Sequence, residues 1–273
     1  VDSLTQFGGG TIPLVDDDWE ISQGMTMPAL YAMRARRYMH EFGATVEQLA
    51  KVSVKARSHG ARNPDAQFQK SVTVEEVLGS RPIADPLTLL QCCPTGDGAA
   101  AAIICASDVA GRFEAEPVKI LASELCSGKF TNGFRDMTSM EIAVRGAGIA
   151  YEQAGLGPDD IDVAEVHDAF SIAELLYYEA FGFCERGEAV QLLESGETTI
   201  GGQIVVNPSG GLLAKGHPIG GTGVAQVVEI VRQLRGHCGD RQVEGAKVGL
   251  THATGGGAMG MDSGACSIHI FAR

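Results

Sequence analysis

Aromatic side chains are scarce in this chain, at 6% with a single tryptophan. Small aliphatic residues must therefore carry most of its core. Positive charge is also short: 21 lysines and arginines stand against 34 aspartates and glutamates, a formal net charge of −13. That balance leaves no basic footprint for nucleic acid and no polybasic membrane patch. An anionic ligand is not excluded, because a few local N–H groups and one lysine suffice to hold it. No apolar run reaches 18 residues and no signal-peptide pattern is visible, so no membrane association is expected. The seven cysteines are odd in number and contain no CxxC pair. A disulfide framework and a zinc ribbon are therefore not expected, and reduced thiols in a cytoplasmic protein are. No HxxxH spacing occurs either, which argues against a bound metal.

What the chain has in abundance is glycine, 36 of 273 residues, beside many alanines. Small residues let helices sit close to strands, so a layered α/β fold is expected. Residues 1–24 read as loop. Residues 28–42 read as a helix. Thr45 caps a second helix that runs to Gly60, with Gln48 completing a capping box. Arg34, Arg36 and Arg37 on this hairpin form either a solvated face or a contact for nucleotide phosphates. Residues 73–78 suggest a short helix or turn, and residues 80–86 a linker. Residues 87–93 suit a strand, PTGDG a turn, and the following alanine run a buried helix, together a βα unit. Cys92 and Cys93 sit in apolar surroundings that favour inert thiols. Further strands are expected at 118–124, 161–166, 247–251 and 265–271, the last two as an antiparallel hairpin broken at His252. Helices are expected at 140–154 and 171–181.

One stretch organises the rest: residues 207–223, NPSGGLLAKGHPIGGTG, with six glycines, two prolines, Lys215 and His217. The residues after it place Val224, Val227, Val228, Ile230, Val231 and Leu234 at helical spacing. A glycine-rich loop therefore presents a histidine and opens a helix, whose first N–H groups and dipole favour negative charge. His167 and His252 are expected at comparable turns, His167 where a strand ends and a helix begins. Three histidine-bearing turns that converge on one pocket suit acid–base work at a carbonyl. Histidine and glycine N–H groups together form oxyanion holes for an enolate or tetrahedral oxyanion.

The segments VAEVHDAFSIAELL, VVNPSGGLLAKGHPIGGTGVAQVVEIVRQLRG and THATGGGAMG resemble, in order, the C-terminal portion of the thiolase superfamily. CPTGDGAAAAI resembles the proline…DGAAA turn of the same proteins. The HDAF form is similar to the sterol-carrier-type and archaeal branch. The resemblance implies a layered α/β/α/β/α fold with the N-terminal half largely absent. Residues 1–80 would be the loop domain, 81–113 the last βα piece of the N-terminal half, and 114–273 the C-terminal domain. It implies that His217 activates a nucleophilic cysteine and donates to the thioester oxygen. His167 would complete the same oxyanion hole, and the Gly255 N–H would help form a second one. Ser209, Gly210 and Gly211 would pack near coenzyme A and the active-site floor, with Phe170 beside the substrate.

The departures from the family pattern carry equal weight. Ala253 stands where many thiolases have an acid–base cysteine, and Ala169 where the sterol-carrier branch has one. His252 is either a substitute proton carrier or a structural residue. No segment matches the family's nucleophilic cysteine, so it would come from an upstream region or a partner, or the chain is inactive. The resemblance implies an acyltransferase acting on a 3-ketoacyl-CoA with a bulky or branched acyl group. Coenzyme A would be a substrate, with no bound cofactor. A homodimer or higher oligomer and a small zinc-ribbon/OB-fold partner are further implications. A retro-aldolase on a 3-hydroxyacyl-CoA and a non-catalytic CoA-binding subunit are the alternatives. A large apolar face is expected to stay uncovered on the chain alone.

Overall fold

The computed structural model describes residues 26–129, 135–258 and 262–273. The loop expected over residues 1–24 lies outside the described residues. Glycine and alanine permit the close layers that residues 114–273 form. The strands β3 (Lys119–Ser127), β4 (Val163–Glu165), β5 (Val205–Val206), β6 (Val248–Ala258) and β7 (Asp262–Ala272) make one sheet in the order β3-β7-β6-β4-β5. The pairs β3–β7 and β6–β7 are antiparallel, while β4 runs parallel to β5 and β6. Helix α4 (Glu141–Ala154) and α5 (Ser171–Ala180) cover one face. Helix α8 (Ile219–Leu234) covers the other. Close approach on both faces depends on glycine. A Cβ at Gly146 of α4 would meet Ile268 Cδ1 at 3.0 Å, and one at Gly249 would meet Ile230 Cγ2 at 2.5 Å.

The N-terminal helices pack against α5 and the helices that follow it. They are α1 (Met27–Phe42), α2 (Val46–Gly60) and α3 (Val74–Leu78), and a small hairpin of β1 (Pro82–Ala84) and β2 (Leu87–Thr88) follows. The Thr45–Gln48 capping box forms as the sequence predicts, and Thr73–Glu76 repeats it at α3. Helix α2 packs against α5 and against α7 (Gly211–Lys215), and α6 (Ala189–Ser195) joins the same layer. The arginines of α1 are taken up structurally. Buried Arg34 donates to Met137 O at 2.8 Å, Arg36 pairs with Asp85, and Arg37 pairs with Glu41. Arg36 and Arg37 stay about half exposed, on the solvated face that the sequence allows.

Three expectations are corrected. The βα unit expected from residue 87 does not form: only Leu87–Thr88 of the 87–93 strand is strand, with a 3-10 turn at Leu89–Gln91, and the alanine run after PTGDG forms no buried helix, since residues 99–106 have no regular secondary structure and Ile103 and Ile104 are 86% and 77% exposed. A segment apolar on every side needs cover on every side, and among the described residues nothing supplies it. His252 does not break its strand, because β6 runs through it with His252 opposite Ile268. On α8, Val224 is 36% exposed, while Thr222, Gln226, Glu229 and Gln233 are buried. Helical periodicity located the helix and its core contacts at Ile230, Leu234 and Val227, but it misplaced Val224 and did not show that polar side chains share the inward face. The polar side chains face inward because they have buried tasks there, above all the Glu229–Arg241 ion pair at 3.0 Å. Besides the two isoleucines, Leu125, Ile120 and Phe113 are exposed.

Candidate active site

The site forms where β4 ends. The chain leaves β4 at Glu165 and turns through His167, Asp168 and Ala169 into α5. The stretch after β5 turns back beside it through Asn207. Asn207 has φ 56°, a left-handed conformation asparagine tolerates better than most residues. Its buried side chain accepts from Val166 N at 2.8 Å and donates to Glu174 Oε2 at 2.7 Å. Its carbonyl takes the His59 Nδ1 proton at 2.9 Å, while Ile200 N donates to His59 Nε2. Burial pushes His59 down to about 3, with the nearby Lys55 charge adding to it. Lys55 pairs with Glu174 at 2.8 Å inside the protein. One asparagine thus fastens the glycine loop to β4, α5 and α2 at once.

Two expected site residues meet directly. The His167 and His217 rings lie 5.0 Å apart, edge to face. His217 Nδ1 is 2.8 Å from Thr222 Oγ1, and that hydroxyl donates its proton to Pro218 O at 3.0 Å. The hydroxyl therefore accepts from Nδ1–H, which leaves the lone pair on His217 Nε2. Burial, helped by the Lys215 charge, pushes His217 down to about 4. His167 is held well below its ordinary value by burial, then by His217, His252 and Lys215. Both imidazoles are neutral at physiological pH.

His252 lies behind His167. It is fully buried, with its ring 4.3 Å from Tyr177 and 5.1 Å from Phe181. Its Nδ1 accepts the His167 backbone N–H at 3.4 Å, so Nε2 carries the proton. Burial pushes it down to about 3. Gly255 sits three residues further along β6, opposite Ala265 and exposed. Between them, Ala253 faces the start of α8 at Gly223.

Ser209, Gly210, Gly211 and Phe170 are all buried. Ser209 gives both its N–H and its hydroxyl to Glu165, at 3.0 and 2.7 Å. Gly210 (φ 96°) leaves room for Gly60 of α2, whose Cα a Cβ would meet at 2.7 Å. Gly211 (φ 59°) leaves room for the Asp168 carboxyl, whose Oδ1 accepts from Leu212 N at 2.6 Å. Burial and the Glu174 charge hold Asp168 well above the usual carboxylate range. Phe170 stacks on Tyr31 of α1 at 4.6 Å.

Residues 92–98 run along this mouth. Cys93 N donates to Ala169 O at 2.8 Å, and Thr95 bridges to His217. A Cβ at Gly98 would meet Pro218 Cγ at 2.9 Å. Cys93 therefore lies near the histidines in space though far from them in sequence. Burial pushes the Cys92 and Cys93 thiols up to about 11 and about 12, so neither is a ready thiolate. Among the described residues no cluster of three or more metal-binding side chains forms. No helix among them is long and apolar enough to cross a membrane.

Sequence reasoning missed Thr222, Asn207 and the Glu165–Lys215 pair. Thr222 was within reach, since it sits one turn into the helix that the histidine loop opens. The others depend on chain segments that only folding brings together.

A mixed sheet between helices thus brings together two neutral imidazoles, His167 from the turn after β4 and His217 from the turn between α7 and α8. Residues 124–266, more than half of the chain, match the family described as thiolase C-terminal domain-like. The chain belongs to that family, and its sheet and helices are the C-terminal half of the thiolase fold. It is 50% identical over 259 residues to an acetyl-CoA acetyltransferase of Methanothermobacter thermautotrophicus, covering 94% of this chain and 66% of that protein. It is 46% identical over 242 residues to the benzoylsuccinyl-CoA thiolase subunit BbsB of Thauera aromatica, covering 88% of this chain and 63% of that one. The chain thus spans slightly less than two thirds of the length of these relatives. Among solved structures, the Ltp2-ChsH2(DUF35) aldolase superposes with a TM-score of 0.80 at 31% identity, covering 92% of this chain and 65% of that one.

Proposed function

We propose that this chain forms one wall of the active site of a thiolase-type acyltransferase that makes or breaks the carbon–carbon bond of a 3-ketoacyl-CoA. The observation that carries the reading is the His167–His217 pair, neutral and edge to face, with His217 anchored on Thr222. In the cleavage direction a cysteine thiolate from outside this chain attacks the 3-keto carbon. His217 Nε2, bearing the lone pair, takes the thiol proton. The tetrahedral oxyanion is held by the Gly255 N–H. The bond to the α-carbon then breaks, and its electron pair becomes the enolate of the departing acyl-CoA. His217, by then protonated, and His167 hold that enolate oxygen, and the thiol's proton passes from His217 through water to the α-carbon. Free coenzyme A finally takes the acyl group from the cysteine.

His252 is proposed as a support for His167 rather than a proton carrier, because its ring is sealed between Tyr177 and Phe181. Ser209, Gly210, Gly211 and Phe170 shape the floor on which coenzyme A and the acyl group rest. A bulky acyl group and a second, smaller chain are part of the proposal. Support comes from a relative named as a benzoylsuccinyl-CoA thiolase subunit and a neighbour that is a two-component aldolase.

Retro-aldol cleavage of a 3-hydroxyacyl-CoA is the second reading. It is favoured by alanine at both positions, 169 and 253, where a second cysteine would stand. That reaction needs no covalent cysteine: a base takes the hydroxyl proton, the α–β bond breaks, and a carbonyl compound and an acyl-CoA enolate separate. The test supplies both substrates to the full protein with any partner it co-purifies with. Release of acyl-CoA from the 3-ketoacyl-CoA only when free coenzyme A is added supports thiolysis. Release of an aldehyde or ketone from the 3-hydroxyacyl-CoA without coenzyme A would replace it by the aldolase reading. No turnover of either, with CoA binding retained, points to a scaffold subunit.

A further inference from the structure

Lys215, the one lysine of the glycine-rich stretch, has no task in the mechanism above. Its Nζ lies 3.4 Å from Glu165 Oε2, and its side chain is 11% exposed against 0% for the glutamate. Glu165 receives three donors, the Ser209 N–H, the Ser209 hydroxyl and the Lys215 ammonium. Groups that only donate to it favour its ionised form, although burial pushes its carboxyl upward.

The position of this pair is informative. Glu165 is two residues before His167, at the end of β4. Lys215 is two residues before His217, at the end of α7. The rings of the two histidines meet at 5.0 Å, and the two charged side chains meet at 3.4 Å. Four residues thus close a circuit, two links covalent and two through space. The ion pair clamps the glycine loop to the strand end on one side. On the other, the same clamp sets the separation of the imidazoles.

We propose that the Lys215–Glu165 ion pair is the positioning device of the histidine pair, fixing the spacing of the two rings and holding a positive charge beside both so that each works as a neutral imidazole. The proposal rests on the acyltransferase reading only for the use of those imidazoles. The other charged or titratable groups around the pair are few. From the β4 turn come His167 and Asp168, whose carboxyl burial and Glu174 push well above its ordinary value, and behind Asp168 lies the buried Lys55–Glu174 pair. From β6 comes His252, and from the 92–98 segment Cys93 and exposed Asp97. From α8 comes Glu229, already neutralised by Arg241. Lys215 is therefore the cation that acts on both rings, which agrees with its depressing both of them.

The test reads the imidazoles directly, so it stands apart from turnover. His167 and His217 are followed by NMR titration of histidine-labelled protein, with signals assigned through H167N and H217N. Lys215→Met is expected to raise the titration midpoint of both rings by about one pH unit. Lys215→Arg, which keeps the charge, is expected to leave them in place. Glu165→Gln removes the counter-ion and is expected to shift them the other way. It also serves as the test where Lys215→Met does not fold. Unchanged midpoints in a folded Lys215→Met protein would overturn the proposal, as would an upward shift in Glu165→Gln. An enzyme that fails to cleave 3-ketoacyl-CoA yet shows these shifts would sink the reaction assignment and keep the device.

Discussion

Replacing Thr222 by valine tests the hydrogen-bond logic of the site at one atom. Valine keeps the shape of threonine and removes its hydroxyl. Two interactions end: the 3.0 Å bond to Pro218 O and the 2.8 Å contact with His217 Nδ1. Thr222 is 1% exposed, so water does not readily replace the lost oxygen. A buried hydrogen bond contributes about 1 kcal/mol net, and stranding a buried donor costs about 1–3 kcal/mol. The expected loss of stability is therefore about 2–3 kcal/mol in urea denaturation. Thr222→Ser keeps the oxygen and gives up only a methyl group, for about 1 kcal/mol. The two variants also differ at His217. Long-range proton–nitrogen NMR distinguishes the tautomers, and the Nδ1–H form should persist in the serine variant and lose its dominance in the valine variant. A valine variant that matches the parent in urea midpoint and keeps the Nδ1–H tautomer would refute the assignment of Nε2 as the base.

Other outcomes follow from the same geometry. Gly211→Ala forces a left-handed φ of 59° on alanine and places a methyl 2.6 Å from Asp168 Cγ, so it should destabilise by about 2 kcal/mol or more in thermal or urea unfolding. Arg241→Met strips the partner from buried Glu229 and should cost about 3–5 kcal/mol, whereas the double variant with Glu229→Gln should recover much of it. Acid should destabilise the fold through its depressed histidines, partly offset by Asp168 and Glu165, whose raised carboxyls take up protons in the folded state. His217, His59 and His252 are depressed to about 4, 3 and 3, so between those values and pH 6.5 the unfolded chain binds more protons than the folded one. Stability is then full above about pH 6.5 and falls as the pH drops, by up to about 1.4 kcal/mol per unit for each histidine. Equal urea midpoints at pH 7.5 and pH 5 would contradict this.

The legible parts of the fold are those whose cause is local. The Thr45–Gln48 capping box, the stop of α4 at Gly155 with φ 66°, and the β6–β7 hairpin depend on neighbours in sequence. The illegible parts depend on what lies opposite. The inward polar face of α8 required Arg241 and Thr222's partner to be placed first. The alanine run reads as a buried helix only if something covers it. His252 looked like a turn residue because three glycines follow it, yet the pairing of β6 with β7 carries the strand straight through.

The chemistry of this protein is written in its residue types: a GHP turn that opens a helix, an HDAF turn that ends a strand, and small residues that let both approach. Those are local facts, set by backbone freedom and helix-capping chemistry, and they were enough to identify the family. Tertiary structure decided the rest, because hydrogen bonds and charges act across space and not along the chain. It brought His167 and His217 to 5.0 Å. It sealed His252 behind them against Tyr177. It also joined Glu165 to Lys215, 50 residues apart.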